Sequence, residues 1–322
     1  MLILIKNVIY LIVGMVLLIK GADFFVDGAS NIARRLKIPS LIIGLTLVSI
    51  GTSAPELSVS ITAALQQRND ISFGNIIGSN VFNTLIVVGA SALFTKLAIS
   101  SDVKRFDIPV LIGIYILLGI FAFTGAEFGF SRLEAAVLLA LFVAYIVFLI
   151  LRNKNAPAEE SEPPKQKWYV SLIFSVLGIA AIIFGGDLVV DSASDIATAL
   201  GMSELLVGLT IVAIGTSLPE LVTSIVAAKK GEMDMAVGNA VGSSIMNSIL
   251  ILGTTAVITP FTVDFILIID VAVMLLSVLI LVFATLKKNE IGKFTGILMI
   301  AVYLAYIAYT VIYAVITQAP AV

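Results

Sequence analysis

Two glutamates stand inside apolar runs, Glu56 in "GTSAPELSVS" (51 to 60) and Glu220 in "GTSLPELVTS" (215 to 224). An ionised side chain at membrane depth is costly and marks function by default. Each glutamate has the same escort: Thr52 and Ser53 precede Glu56, and Thr216 and Ser217 precede Glu220, so hydroxyl oxygens lie on the adjacent turn. Pro55 and Pro219 lack an N–H, and their rings push against the carbonyls of Gly51 and Gly215, which kinks each helix and frees backbone oxygens. Gly51 and Gly215 leave room for another backbone or an ion to come close. Carboxylates, hydroxyls and carbonyls are the ligands of a hard cation, and Ca²⁺ takes about six to eight such oxygens.

A second pair of phrases adds to the set. "GNIIGSNVFN" from Gly74 carries Ser79 and Asn83, and "GNAVGSSIMN" from Gly238 carries Ser243 and Asn247. At i and i+4 each pair shares one helical face. Gly74, Gly78, Gly238 and Gly242 have the small-xxx-small spacing that lets helices pack closely. Taken singly, a "GTS-P" phrase reads as structural, because Ser and Thr in a span usually bond their own i−4 carbonyl. Duplication changes that reading: 220 − 56 and 238 − 74 are both 164. A longer match keeps the same offset, "GADFFVDGASNIARRLKIPSLIIGLTLVSIGTSAPE" from Gly21 on "GGDLVVDSASDIATALGMSELLVGLTIVAIGTSLPE" from Gly185. Asp23 and Asp27, with Asp187 and Asp191, fall on one face of a helix end and read as interfacial or capping groups. Trp168 reads as an interfacial anchor.

The elements that must position these residues are membrane helices. Of 322 residues 60% are apolar and 12% charged, well above the apolar content of soluble domains. No Cys and no His is present, which removes disulfides, thiol chemistry, soft-metal sites and imidazole relays. A net charge of −2 gives no basic surface for nucleic acid. Apolar runs recur near 3 to 20 (with helix able to continue to Arg35), 40 to 65, 72 to 95, 106 to 124, 131 to 151, 168 to 186, 203 to 228, 236 to 258, 264 to 285 and 293 to 316. The expectation is an all-α integral membrane protein of about ten transmembrane helices, the first one retained rather than cleaved as a signal.

The hydrophilic stretch 152 to 167 reads as a solvated linker between a first repeat, 1 to 151, and a second, 168 to 322. Five spans per repeat is an odd number, so the second half enters the membrane the other way up, as inverted repeats. Charge supports this. Arg34, Arg35, Lys37, Lys96, Lys104 and Arg105 follow spans one and three of the first half, whereas Lys229, Lys230, Lys287, Lys288 and Lys293 occupy the other connections of the second. By the positive-inside rule these connections and the linker face the cytoplasm, with both termini outside.

At these residues the sequence resembles the calcium:cation antiporter superfamily, in particular its sodium/calcium exchanger branch, whose two alpha repeats look like "GLTLVSIGTSAPELSVS" with "GNIIGSNVFN" and "GLTIVAIGTSLPELVTS" with "GNAVGSSIMN". The resemblance spans both halves and implies ten helices around four central cation positions. Glu56 and Glu220 would be shared Ca²⁺ ligands beside the carbonyls and hydroxyls of Thr52 and Thr216. Ser53, Ser79, Ser217 and Ser243, with the carbonyls of Ser49 and Ala213, would line flanking Na⁺ positions, and Asn83 and Asn247 would complete the middle. Several exchangers of this family carry Asp where this chain has Asn247.

The expected function is secondary active exchange of Ca²⁺ for Na⁺ by alternating access, with the ions as cargo, no cofactor, the bilayer as surroundings and no obligatory protein partner. H⁺-coupled or K⁺-dependent Ca²⁺ exchange is the nearest rival and a passive cation channel the next. No Walker motif, nucleophile-base pair or zinc signature suggests an enzyme.

Overall fold

The computed structural model describes residues 2–67, 69–124, 129–154, 166–201, 211, 213–262, 267–286 and 289–318. Helix α1 (Leu2–Leu36) is followed by α2 (Ser40–Thr52) and α3 (Ala54–Leu65), bent by 48° at their junction. Then come α4 (Ser72–Phe94), β1 (Leu97–Ala98), α5 (Val103–Ala122), β2 (Gly129–Phe130) and α6 (Arg132–Arg152). The second half runs α7 (Trp168–Ala199), α8 (Leu218–Lys229), α9 (Met233–Ile258), β3 (Phe261–Thr262), α10 (Ile269–Leu286), β4 (Glu290–Ile291) and α11 (Lys293–Ile312). Among the described residues eight helices are long and apolar enough to cross a membrane, and α2 with α3 makes a ninth. Of the expected span at 203 to 228, residues 202–210 and 212 lie outside the described residues.

The polarity of the molecule is reversed relative to a soluble protein. Phe294 is 82% exposed and Leu133 76%, whereas Glu56, Glu220, Asn83 and Asn247 are wholly buried. Apolar side chains of α1, α6, α7 and α11 therefore meet lipid, and the polar groups gather on α2, α3, α4, α8 and α9.

Helices α1 and α7 pack along a seam of small residues. A Cβ at Gly14, Gly21 or Gly28 would stand 2.9, 2.9 or 2.6 Å from the carbonyl oxygen of Gly185, Gly178 or Ser171 respectively. Numbers rise along α1 as they fall along α7, so the two run antiparallel. Gly14 and Gly178 are equivalent in the repeat, as are Gly21 and Gly185, and each meets the other's equivalent. That is the contact pattern of a local two-fold axis between inverted copies. Helix α7 continues to Ala199, past the expected end at 186, which makes it the full counterpart of α1. The turn after α8 ties down the far end of α1: Lys230 Nζ lies 2.8 Å from Asp27, and Arg34 Nη2 lies 2.7 Å from Glu232.

Two short antiparallel ladders support the same inversion. Strand β1 pairs β4, Leu97 opposite Ile291, and β2 pairs β3, Gly129 opposite Thr262. Strands β1 and β3 are equivalent in sequence, 164 residues apart. Helix α5 separates β1 from β2, so β3, which joins β2, sits at the opposite end of that span from β1.

The expected glycine packing is found at Gly238 and Gly242, where a Cβ would come within 2.8 Å of Leu41 O and 2.7 Å of Leu45 Cα on α2. At Gly74 and Gly78 a Cβ would meet nothing within 4 Å among the described residues.

Candidate functional site

The break in each central helix falls on a serine. Ser53 (φ −82, ψ 11) separates α2 from α3, and Ser217 (φ −95, ψ 7) precedes α8. Pro55 and Pro219 then occupy the first turn of the new helix, where a missing N–H costs nothing. Glu56 and Glu220 follow in that same first turn, at the positive end of a helix dipole. The kink expected from the prolines is present at α2–α3, and its physical product is a helix N-terminus inside the molecule.

Ser-x-x-Glu is also the spacing of a capping box, in which the serine hydroxyl would satisfy its own helix. Neither serine makes a side-chain cap bond. Their hydroxyls cross between halves instead. Ser53 Oγ donates to Glu220 Oε1 at 2.8 Å, and Ser217 Oγ donates to Glu56 Oε1 at 2.9 Å. Ser79 Oγ is 3.4 Å from Glu56 Oε1 and 3.0 Å from Ser217 Oγ, and Ser243 Oγ is 3.4 Å from Glu220 Oε1. Six of the expected site residues thus form one buried cluster with the two carboxylates linked through each other's serines.

The remaining atoms of these groups are open. Glu56 Oε2, Glu220 Oε2 and both amide atoms of Asn83 and of Asn247 are buried without a hydrogen-bond partner among the described residues. Buried polar atoms are nearly always paired; four of these six are oxygens, which fit a cation, while the two Nδ2 atoms can only donate. Two carboxylates supply the charge of one divalent ion, and among the described residues no three of His, Cys, Asp or Glu are placed to hold a metal together. Asn83 and Asn247 each open a π-helical turn, Asn83–Val87 and Asn247–Ile251, a distortion that often accompanies functional sites.

The other expected residues stand one turn back. Ser49 Oγ donates to Leu45 O at 2.9 Å, and its carbonyl accepts the Ser53 N–H at 3.0 Å. Ala213 begins the helical turn Ala213–Gly215 that leads into Thr216 and Ser217. Thr52 and Thr216 follow the same crossed pattern, and the Thr52 side chain also interacts with the Glu220 carboxylate. Their hydroxyls reach two residues that sequence reasoning passed over: Thr52 Oγ1 is 3.1 Å from Asn239 Oδ1, and Thr216 Oγ1 is 3.4 Å from Asn75 Oδ1. The signal for Asn75 and Asn239 was present in the repeated "GN" of the second motif, at the same offset. Asp23 and Asp27, expected at a helix end, lie inside α1, which runs on to Leu36, and are engaged by Lys230 away from this cluster.

A buried cluster of carboxylates and hydroxyls at the meeting of two inverted halves, inside a set of helices long and apolar enough to cross a membrane, defines an α-helical membrane protein with a polar centre. The family described as "Sodium/calcium exchanger protein" matches residues 6–151 and 170–312, and this chain belongs to it. Among its relatives, the putative antiporter CaxA of Alkalimonas amylolytica is 40% identical over 94% of this chain and 96% of its own length. The sodium/calcium exchanger MaX1 of Methanosarcina acetivorans is 33% identical over 94% of this chain and 97% of its own. A solved structure of the sodium-calcium exchanger NCX_Mj superposes with a TM-score of 0.83 at 33% identity, covering 94% of this chain and 98% of that one.

Proposed function

We propose that the chain is a secondary active antiporter that exchanges Ca²⁺ for Na⁺ by alternating access. Glu56 and Glu220 hold Ca²⁺ together with oxygens of Thr52 and Thr216. Ser53, Ser79, Ser217 and Ser243, with the Ser49 and Ala213 carbonyls, serve Na⁺, and Asn83 and Asn247 close the middle of the site. The observation that carries this reading is the crossed pairing, each carboxylate bonded to the other half's serine while its second oxygen stays open. Ca²⁺ and Na⁺ compete for the same glutamates, and a site that must be filled before the halves re-pack couples one flux to the other. An inward Na⁺ gradient drives Ca²⁺ out. The ions are cargo, and the protein needs no cofactor and performs no covalent chemistry.

The repeats divide at a cytoplasmic linker, 152–167, with 1–151 and 168–322 on either side and both termini outside, as the basic connections favour. The multi-pass fold belongs in the cell membrane.

Purified protein in Ca²⁺-free liposomes loaded with Na⁺ is expected to take up Ca²⁺ when diluted into Na⁺-free buffer, with the pH and K⁺ gradients clamped. Glu56→Gln and Glu220→Gln are each expected to reduce that uptake to background while the protein stays monodisperse in detergent. Uptake that follows a pH gradient and ignores Na⁺ assigns the counter-ion to H⁺ instead.

A further inference from the structure

A hydroxyl has one proton to donate and lone pairs that accept. It can hold a cation through those lone pairs only when the proton is placed elsewhere. For a threonine in a helix the default acceptor is its own carbonyl four residues back. At Thr52 that carbonyl, Val48 O, is 3.1 Å away and Ser49 O 3.4 Å, but Asn239 Oδ1 stands as near as the first at 3.1 Å and comes from the other half of the molecule. Asn75 Oδ1 faces Thr216 Oγ1 in the same way at 3.4 Å.

The other end of each amide is fixed. Asn239 Nδ2 donates to Ser224 Oγ at 2.9 Å and to the Glu220 backbone carbonyl at 3.3 Å. Asn75 Nδ2 donates to Ser60 Oγ at 3.0 Å and to the Glu56 carbonyl at 3.4 Å. A carbonyl only accepts, so Nδ2 has to face it, and Oδ1 is left facing the threonine. Turning the amide over would set two acceptors against each other. Each asparagine therefore joins the glutamate helix of its own half to the threonine of the opposite half. In this they differ from Asn83 and Asn247, whose amide atoms have no partner among the described residues.

We infer that Asn75 and Asn239 are positioning residues of the cation site: each takes the hydroxyl proton of the opposite threonine and so leaves the oxygens of Thr216 and Thr52 free to ligate a cation. The asparagines do not touch the ion themselves. Through them a shift of one broken helix moves a ligand that belongs to the other half. This role rests on the reading of the glutamate pair as the cation site.

The test is Ca²⁺ uptake into proteoliposomes, driven by whichever counter-ion gradient supports it, with KM and Vmax measured for Asn239→Leu, Thr52→Val and the double variant. Each single variant is expected to raise the Ca²⁺ KM about tenfold, equivalent to about 1.4 kcal/mol. Vmax moves less than KM, and the double variant rises no further than either single one, because both remove one ligand. Thr52→Ser, which retains the hydroxyl, is expected to recover most of the loss seen in Thr52→Val. An unchanged KM in Asn239→Leu, or a double variant whose effect is the product of the two, overturns the assignment. If Asn239→Leu yields no monodisperse protein, the threonine pair decides: a KM gap of about tenfold between Thr52→Val and Thr52→Ser sustains the assignment, and equal values overturn it. Glu56→Gln and Glu220→Gln run alongside. Uptake that survives in those variants brings down the cation-site reading itself, whereas its loss there, with an unaltered KM in Asn239→Leu, brings down only the role given to the asparagines.

Discussion

Crossed serines explain why the duplicated phrase keeps "TS" ahead of "PE". A hydrogen bond to a buried carboxylate is charge-assisted, and removing the short donor leaves Glu56 Oε1 with Ser79 at 3.4 Å, or Glu220 Oε1 with Ser243 at 3.4 Å, at a cost of about 1–3 kcal/mol. Ser217→Ala is therefore expected to lower the melting temperature of the purified protein by several degrees, read in cation-free detergent, and Ser53→Ala to match it. An alanine at Ser58, exposed on the far side of α3, is the comparison that should change little. Much of this scale could be read from the chain alone, since a carboxylate in an apolar run is conspicuous and its repetition fixes the partner set. The crossing could not. A serine three residues before a glutamate predicts a bond within its own turn, and only the meeting of the two halves offers a better acceptor. Asn75 and Asn239 escaped notice for a related reason: an asparagine beside a packing glycine looks like part of the packing until its two ends are seen to lead to different halves.

At the scale of elements, glycine does two different things. Along α1 and α7 it permits backbone contact, and a side chain there has nowhere to go: a Cβ at Gly178 would stand 2.6 Å from Phe25 N and 2.8 Å from Gly21 O. Gly178→Val is expected to cost about 1–3 kcal/mol through forced separation of the two helices, visible as a lower melting temperature. A Cβ at Gly113 on α5 would meet nothing within 4 Å among the described residues. Gly113→Ala is expected to be neutral or to stabilise by up to about 1 kcal/mol, the ordinary gain of alanine in a helix. If both substitutions behave alike, the seam is not what holds α1 to α7. Helix positions were largely legible from the apolar runs, and the bend between α2 and α3 from Pro55. The length of α7 was obscured because Asp187, Asp191 and Asp195 interrupt its apolar run, although their four-residue spacing keeps one helical face. The π-helical turns at Asn83 and Asn247 carry no local signal at all, since a one-residue slip of register is set by what the helix packs against.

For the whole molecule the decisive relation is that equivalent pieces lie at opposite ends. Repeat offset and charge bias already imply inversion, and the two ladders give it a spatial form, β1 with β4 at one end and β2 with β3 at the other. The absence of native cysteine makes this open to direct measurement. Ala98 and Glu290 are cross-strand partners, and opposed Cα atoms in an antiparallel ladder are about 4.5–5.5 Å apart, within the range a disulfide spans. Ala98→Cys with Glu290→Cys is expected to cross-link on mild oxidation. Taken singly, both cysteines should resist a membrane-impermeant maleimide in intact cells and react in inverted vesicles, because the proposed orientation puts that end in the cytoplasm. Ser131→Cys, exposed just beyond β2, should show the opposite pattern. Labelling of Ala98→Cys and Ser131→Cys from the same face would be incompatible with a single crossing by α5, and with it would go the inversion that brings Glu56 and Glu220 to one place.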